Sequence, residues 1–273
     1  MQICPITPNV GAEIHDIDAG RVTDAERRSL RDALVNYKVL VLRDQDIDSF
    51  AYRDFVTTFG EVVMDDLTPQ PGHPPELGAI HIQPKERQTI NFWHMDYSFR
   101  EQPTPVLSLC AKLLPEIGGD TLFTNLEAAY DGLPGETKAR IEGLYTNHKV
   151  TPTQNSAKRF SPAEFEQMIT AAPVRHPLVC TNPDNGRKFL FVNVPIYCRS
   201  IVGLEDDPEG DALLRSLYEH ASRPEFHFRL RWTLNTIVVW ENTHCLHYPV
   251  ADYFPNERRL WRFATKATAR PAA

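Results

Sequence analysis

Val39-Leu40-Val41-Leu42 is an unbroken apolar run bounded by Lys38 and Arg43. A run this short is a strand, and with no polar residue on either face it must be covered on both. A chain containing it has to build layers on each side. Similar pieces recur. Thr236 to Trp240 reads as a second buried strand and Arg259 to Ala267 as another. Phe226, Phe228, Leu230 and Trp232 alternate with His227, Arg229 and Arg231, the period of a half-buried strand. Val106 to Leu113 is strand-like, and Gly118-Gly119-Asp120 makes a turn into one more at Thr121. The 22 prolines and 13 glycines supply the turns that such a fold needs.

Helices are interleaved with these strands. Thr23 opens one, with Glu26 completing a capping box and Leu30, Ala33, Leu34 and Tyr37 forming its apolar stripe. Ser49 to Phe59 is a second, stopped by Gly60, and Asp207 to Ser222 a later one. Shorter helices are expected at Leu126 to Tyr130, at Glu136 to Leu144 and from Ser161. Arg175 to Cys180 and Lys188 to Asn193 flank a hairpin signal at Asn182 to Gly186. The expectation is a β-rich α+β chain: a double-sheet jelly roll with flanking helices, in one domain over residues 1–273. Residues 64 to 91 carry Pro69, Pro71, Pro74, Pro75 and Pro84 and read as a long loop with little regular structure. Loops this long in compact domains are often lids, and this one leads directly into the chain's main polar motif.

A net charge of −7 argues against nonspecific nucleic-acid binding. The five cysteines are scattered, with no Cys-x-x-Cys pair, which argues against a disulfide framework or structural zinc site. No apolar run reaches the ~18 residues of a membrane span, and Met1 to Pro5 lacks a charged-then-apolar signal region. The expected setting is the cytoplasm. Walker loops, Gly-x-Gly-x-x-Gly and Gly-x-Ser-x-Gly are absent.

The main motif is Trp93-His94-Met95-Asp96. On an extended strand, residues i and i+2 share a face, so His94 and Asp96 aim an imidazole and a carboxylate at one point. With a distant histidine they would make the two-His, one-carboxylate set of non-heme Fe(II) oxygenases. The segment from Trp240 to Tyr253 offers two such histidines, His244 and His247. Arg258 and Arg262 lie four apart, on one face of a straight strand. Guanidinium groups suit carboxylate recognition, and 2-oxoglutarate, the cosubstrate of many such irons, carries a carboxylate at each end.

These motifs, with Gly11-Ala12-Glu13-Ile14, Val39 to Gln45, Phe59-Gly60-Glu61, Gly118 to Thr121, His176 to Val179 and Leu190 to Asn193, resemble in order the taurine/2-oxoglutarate dioxygenase family over nearly the whole chain. The resemblance implies that His94, Asp96 and His247 bind Fe(II) and carry catalysis, His247 being the one that matches the family's His-Tyr. It implies that Thr121 and Arg258 hold the distal carboxylate of 2-oxoglutarate, and that Arg262 lies near the iron-bound carboxylate. Trp240, Tyr97, Ile90, Phe99 and Asp65 are then candidates for the substrate pocket. The implied reaction oxidises a C–H of a small organic substrate with O2, giving succinate and CO2. The outcome is hydroxylation, cleavage through hydroxylation, or a desaturating or hydroxylating step in a natural-product pathway. Asp96 argues against halogenation, since related halogenases lack that carboxylate. A homo-oligomer, dimer or tetramer, is also implied. The family's taurine grip is incomplete: its histidine after Phe-Gly-Glu is missing, and Ile90 stands where its asparagine would be. Two rivals use the same residues. A zinc-dependent hydrolase could employ two histidines and an aspartate, and a jelly-roll binding protein would need no metal. Neither accounts for Thr121, Arg258 and Arg262 together.

Overall fold

The apolar run at 39–42 lies inside the largest sheet of the molecule, where both of its faces are covered. The computed structural model describes residues 1–64, 70–150, 166 and 169–273. The first part of the chain forms β1 (Gln2–Pro5), β2 (Ala12–His15), α1 (Asp24–Tyr37), β3 (Val39–Leu42), α2 (Ser49–Val56), β4 (Val62–Val63), β5 (Gly78–Ile82) and β6 (Val106–Leu113). The middle forms β7 (Thr121–Thr124), α3 (Leu126–Asp131), α4 (Gly135–Ile141), β8 (Tyr145–His148), β9 (Val174–Pro177), β10 (Val179–Thr181), β11 (Lys188–Leu190) and β12 (Cys198–Ile201). The last part forms α5 (Pro208–Ala221), β13 (His227–Leu230), β14 (Ile237–Glu241), β15 (His247–Pro249) and β16 (Arg258–Thr265).

The large sheet runs β1-β2-β3-β14-β6-β16, and the far edge of β16 is shared by β5 and β4. Its pairs are antiparallel except β2 with β3, which α1 connects as a parallel crossover. A smaller sheet, β13-β7-β15, faces it. Alternation along the strands divides the core. Val39, Val41, Leu107, Leu109, Val238, Trp240 and Leu260 point inward and meet Phe123, Phe228 and Leu230 of the small sheet. Leu40, Leu42, Ile237, Val239 and Phe263 point the other way, onto Leu30 and Leu34 of α1 and Tyr52 and Phe55 of α2. A third cluster packs α3 and α5 on the β10–β11 hairpin and takes in Met95 and Leu246.

The expected caps form: Thr23 and Glu26 make the reciprocal box, and Asp48 accepts from Phe50 N and Ala51 N at the start of α2. Two expectations change. The stretch 64–91 contains β5, whose residues pair with Arg258 to Arg262. Its prolines flank a proline-free Ala-Ile-His-Ile core that is free to join a ladder. The expected strand at Arg175 to Cys180 breaks at Leu178, so that β9 joins β8 while β10 pairs with β11. The helix expected from Ser161 falls outside the described residues.

Lys38 is the least expected buried residue. It caps α1 in the left-handed region and is fully buried, with its ammonium 2.7 Å from Glu127 and 3.0 Å from Glu241. It ties α1, α3 and the end of β14 together. Removing one partner of a buried ionic group leaves uncompensated charge and costs about 3–5 kcal/mol. Lys38→Met should therefore lower stability by about that amount in urea unfolding. A loss below about 1 kcal/mol, the range of exposed pairs, would contradict the role.

Candidate metal centre

His247 is the first residue of β15, and His94 pairs with it across a one-residue antiparallel bridge. His94 N donates to His247 O at 2.9 Å, and His247 N donates to His94 O at 2.8 Å. Directly paired residues carry side chains on the same face, and the two imidazole centroids are 4.1 Å apart. Asp96 sits two residues beyond the bridge. One carboxylate oxygen lies 3.4 Å from His94 Nε2 and the other 3.9 Å from His247 Nε2. One ligand atom from each residue falls within 4.8 Å of the others. Residues 92–96 are not a regular strand: only His94 is bridged, and the chain turns at once, with Tyr97 at φ 60°. The shared face of His94 and Asp96 survives, since both line one cavity while Met95 is buried in the core behind.

The donor set suits a divalent metal. His94 Nδ1 lies 3.0 Å from Phe92 O, so it carries the proton and leaves the Nε2 lone pair facing Asp96. Burial, with His94 alongside, pulls the His247 imidazole down to about 3, which keeps it neutral and able to ligate at neutral pH. Burial pushes the Asp96 carboxyl up, but Arg262 and the two imidazoles outweigh it and hold Asp96 well below the usual carboxylate range. His244, the alternative histidine, packs on Phe189 at 4.2 Å and stands 3.4 Å from Glu241, outside the cluster.

The cluster opens into a cavity of about 440 Å³ that Thr121, Trp240, Ile90, Arg258 and Arg262 also line. Arg258 and Arg262 project from the inner face of β16 with Leu260 between them, and both are buried. Arg262 Nη2 is 3.0 Å from Asp96 Oδ2 and donates to Tyr97 OH at 3.4 Å. Arg258 has no carboxylate within ion-pair distance among the described residues; the rings of Trp232 and Tyr253 lie 5.7 and 5.9 Å from its guanidinium carbon. Burial pulls Arg258 down to about 10, against Tyr253 and Asp120, and it remains a cation at neutral pH. Thr121 Oγ1 accepts from Trp232 Nε1 at 3.0 Å, which leaves the threonine proton to donate elsewhere. A desolvated cation and a directed hydroxyl in one cavity fit a carboxylate.

Of the other expected pocket residues, Trp240 is a cavity wall and also a core residue against Phe123 and His247. Ile90 lines the mouth. Tyr97 touches Arg262, and Phe99 meets Tyr97 edge-on and Tyr197 at a tilt, but neither is among the residues lining this cavity. Asp65 lies outside the described residues. Sequence reasoning missed Trp232 and Gly119. The signal for Trp232 was an indole N–H buried at the end of an alternating strand, which needs an acceptor. Gly119 has φ 74°, and a Cβ there would stand 3.2 Å from Arg258 Cδ and Nε.

The model of the family described as "Taurine catabolism dioxygenase TauD, TfdA family" matches residues 2–264. The chain belongs to that family. It is 31% identical to the alpha-ketoglutarate-dependent 2,4-dichlorophenoxyacetate dioxygenase of Cupriavidus pinatubonensis over 96% of both chains. It is 28% identical to an alkylsulfatase of Acinetobacter baylyi over 96% of this chain and 84% of that one. The crystal structure of AAD-2 with Mn(II) and N-oxalylglycine superposes with a TM-score of 0.82 at 29% identity, covering 99% of each chain. Membership brings Fe(II) and 2-oxoglutarate as the expected metal and cosubstrate.

Gly119→Ala tests the approach to Arg258. The new methyl group should displace the guanidinium; if Arg258 takes a carboxylate of 2-oxoglutarate, that removes one charge-assisted hydrogen bond, worth about 1.5–3 kcal/mol, or roughly ten- to hundredfold in Kd. Metal affinity should hold. Calorimetric titration checks both, and unchanged 2-oxoglutarate binding would contradict the placement.

Proposed function

We propose that residues 1–273 form one Fe(II)/2-oxoglutarate-dependent dioxygenase domain, a double-stranded β-helix with flanking helices, that oxidises a C–H of a small organic substrate. The observation that carries this reading is the opening of the His94, Asp96 and His247 cluster into the same cavity as the buried Arg258, which has no carboxylate within ion-pair distance among the described residues. His94, Asp96 and His247 would hold Fe(II), Thr121 and Arg258 the distal carboxylate of 2-oxoglutarate, and Arg262 the region of the carboxylate nearer the metal. When bound, iron and 2-oxoglutarate supply the oxidising power, with O2 consumed and succinate and CO2 released.

The chain's own residues supply position and a dry setting. Arg262 keeps Asp96 ionised, and Trp240, Leu109 and Leu260 exclude water from the inner cavity. Ile80 and Ile82 of β5, with Gln88 and Ile90 beyond it, form the outer wall. We read residues 78–90 as the cover of the site. Gln88 fixes its end, donating to Ile90 O and Pro249 O and accepting from Tyr253 OH. The substrate is small and organic, as the relatives named for 2,4-dichlorophenoxyacetate and alkylsulfates suggest. A zinc hydrolase is disfavoured, because it gives the buried Arg258 no task. The cytoplasmic setting and a homo-oligomeric state belong to the same reading; no helix among the described residues is long and apolar enough to cross a membrane.

Anaerobic addition of Fe(II) and 2-oxoglutarate to the metal-free protein should raise a visible metal-to-ligand charge-transfer band. Arg258→Ala should weaken 2-oxoglutarate binding roughly tenfold or more while iron binding holds. His94→Ala should abolish the band and turnover. Absence of the band in folded, metal-loaded protein, or equal loss of iron and 2-oxoglutarate in Arg258→Ala, would overturn the assignment.

A further inference from the structure

The Asp96 carboxylate must be aimed without a strand to carry it. After the His94–His247 bridge the ladder stops, yet the backbone groups of Met95 and Asp96 are paired. Their partners are two buried asparagine side chains from distant parts of the chain. Asn193 follows β11 and is 1% exposed; Asn242 follows β14 and is 0% exposed. Asn193 Oδ1 accepts from Met95 N at 3.1 Å, and its Nδ2 donates to Met95 O at 2.8 Å. Asn242 Oδ1 accepts from Asp96 N at 3.1 Å, and its Nδ2 donates to Asp96 O at 2.8 Å.

A side-chain amide presents an acceptor and a donor side by side, as a peptide unit does. Each asparagine therefore does for one residue what a neighbouring strand would do. The remaining valences fix the two amides in turn. Asn193 also donates to Ser98 Oγ at 2.7 Å and accepts from Val194 N at 2.8 Å, while Asn242 also donates to Thr104 O at 2.9 Å. The carbonyl partners can only accept, so the amide orientations follow from the network. Aspartate at either place would lose the donors.

We propose that Asn193 and Asn242 are positioning residues of the metal centre: they clamp Met95 and Asp96 so that the Asp96 carboxylate faces His94 and His247 before a metal arrives. This rests on the reading of those three residues as ligands. The clamp spares the site the ordering cost of fixing Asp96 at the moment of binding. Loss of such an outer partner of a metal ligand typically weakens affinity about ten- to hundredfold.

Co(II) titration of the metal-free protein, followed by its visible d–d bands, tests this in wild type and in Asn193→Ala, Asn242→Ala, Asn147→Ala and His94→Ala. Asn147 is the control: it is buried and bonded to Ser200 and Glu205, away from the centre. The two clamp variants should raise the Co(II) Kd about ten- to hundredfold and shift the bands. Asn147→Ala should lower the melting temperature with Kd and bands unchanged. Unaltered Kd in both clamp variants, or an equal loss in Asn147→Ala, overturns the clamp. The His94→Ala result separates the two readings. If it binds Co(II) as wild type does, the ligand assignment itself fails; if it loses the site while the clamp variants keep it, only the clamp fails. Should an alanine variant not fold, amide hydrogen exchange in metal-free wild type decides. Slow exchange at Met95 and Asp96 is expected, and exchange at the free-peptide rate overturns the proposal.

Discussion

Two backbone hydrogen bonds, exchanged between His94 and His247, join segments from the two halves of the chain into one centre. Everything around them keeps that single bridge in register. The small sheet brings β15 alongside β7, and Thr124 N bonds Leu246 O one residue before His247. From the other side, Tyr218 OH bonds Trp93 O one residue before His94. Slippage by one residue would turn an imidazole from the cavity into the core, since the side-chain period is two.

The second constraint is electrostatic. The charges lining the cavity include two buried guanidinium groups and the half-buried Asp96 carboxylate. Arg262 is matched by Asp96, whereas Arg258 is faced by aromatic rings. Taking a cation out of water is costly unless something compensates it. A ligand carboxylate would be that compensation, so the cost of burying Arg258 is a physical reason for the cavity to take an anion, as proposed above. Gly118 and Gly119 serve the same end. Both have positive φ, and Asp252 Oδ1 holds their turn by accepting from Gly119 N at 2.8 Å.

Much of this was legible in the residues. Period-two alternation in Phe226 to Trp232 and the apolar runs at 39–42 and 236–240 mark strands because burial on a sheet imposes that pattern. The Arg258–Arg262 spacing places both on one face of β16 for the same reason. What sequence could not specify was long-range. Spacing alone left His244 and His247 open, and their separation comes from a tight turn at Asn242–His244 that sends one onto Phe189 and the other to the bridge. The proline-rich stretch concealed β5, whose ladder depends on β16, far along the chain. Asn193 and Asn242 carry no local signature, since each acts on a backbone group remote in sequence.

The central claim is that one metal and one dicarboxylate share this cavity, held by His94, Asp96 and His247 and by Thr121 and Arg258. A crystal structure of the protein grown anaerobically with Mn(II) and 2-oxoglutarate, with anomalous data for manganese, tests it most directly. The account predicts an anomalous peak bounded by His94 Nε2, His247 Nε2 and an Asp96 oxygen, with a cosubstrate carboxylate on Arg258 and the Thr121 hydroxyl. A peak elsewhere, or a cosubstrate whose distal carboxylate avoids Arg258, would contradict it.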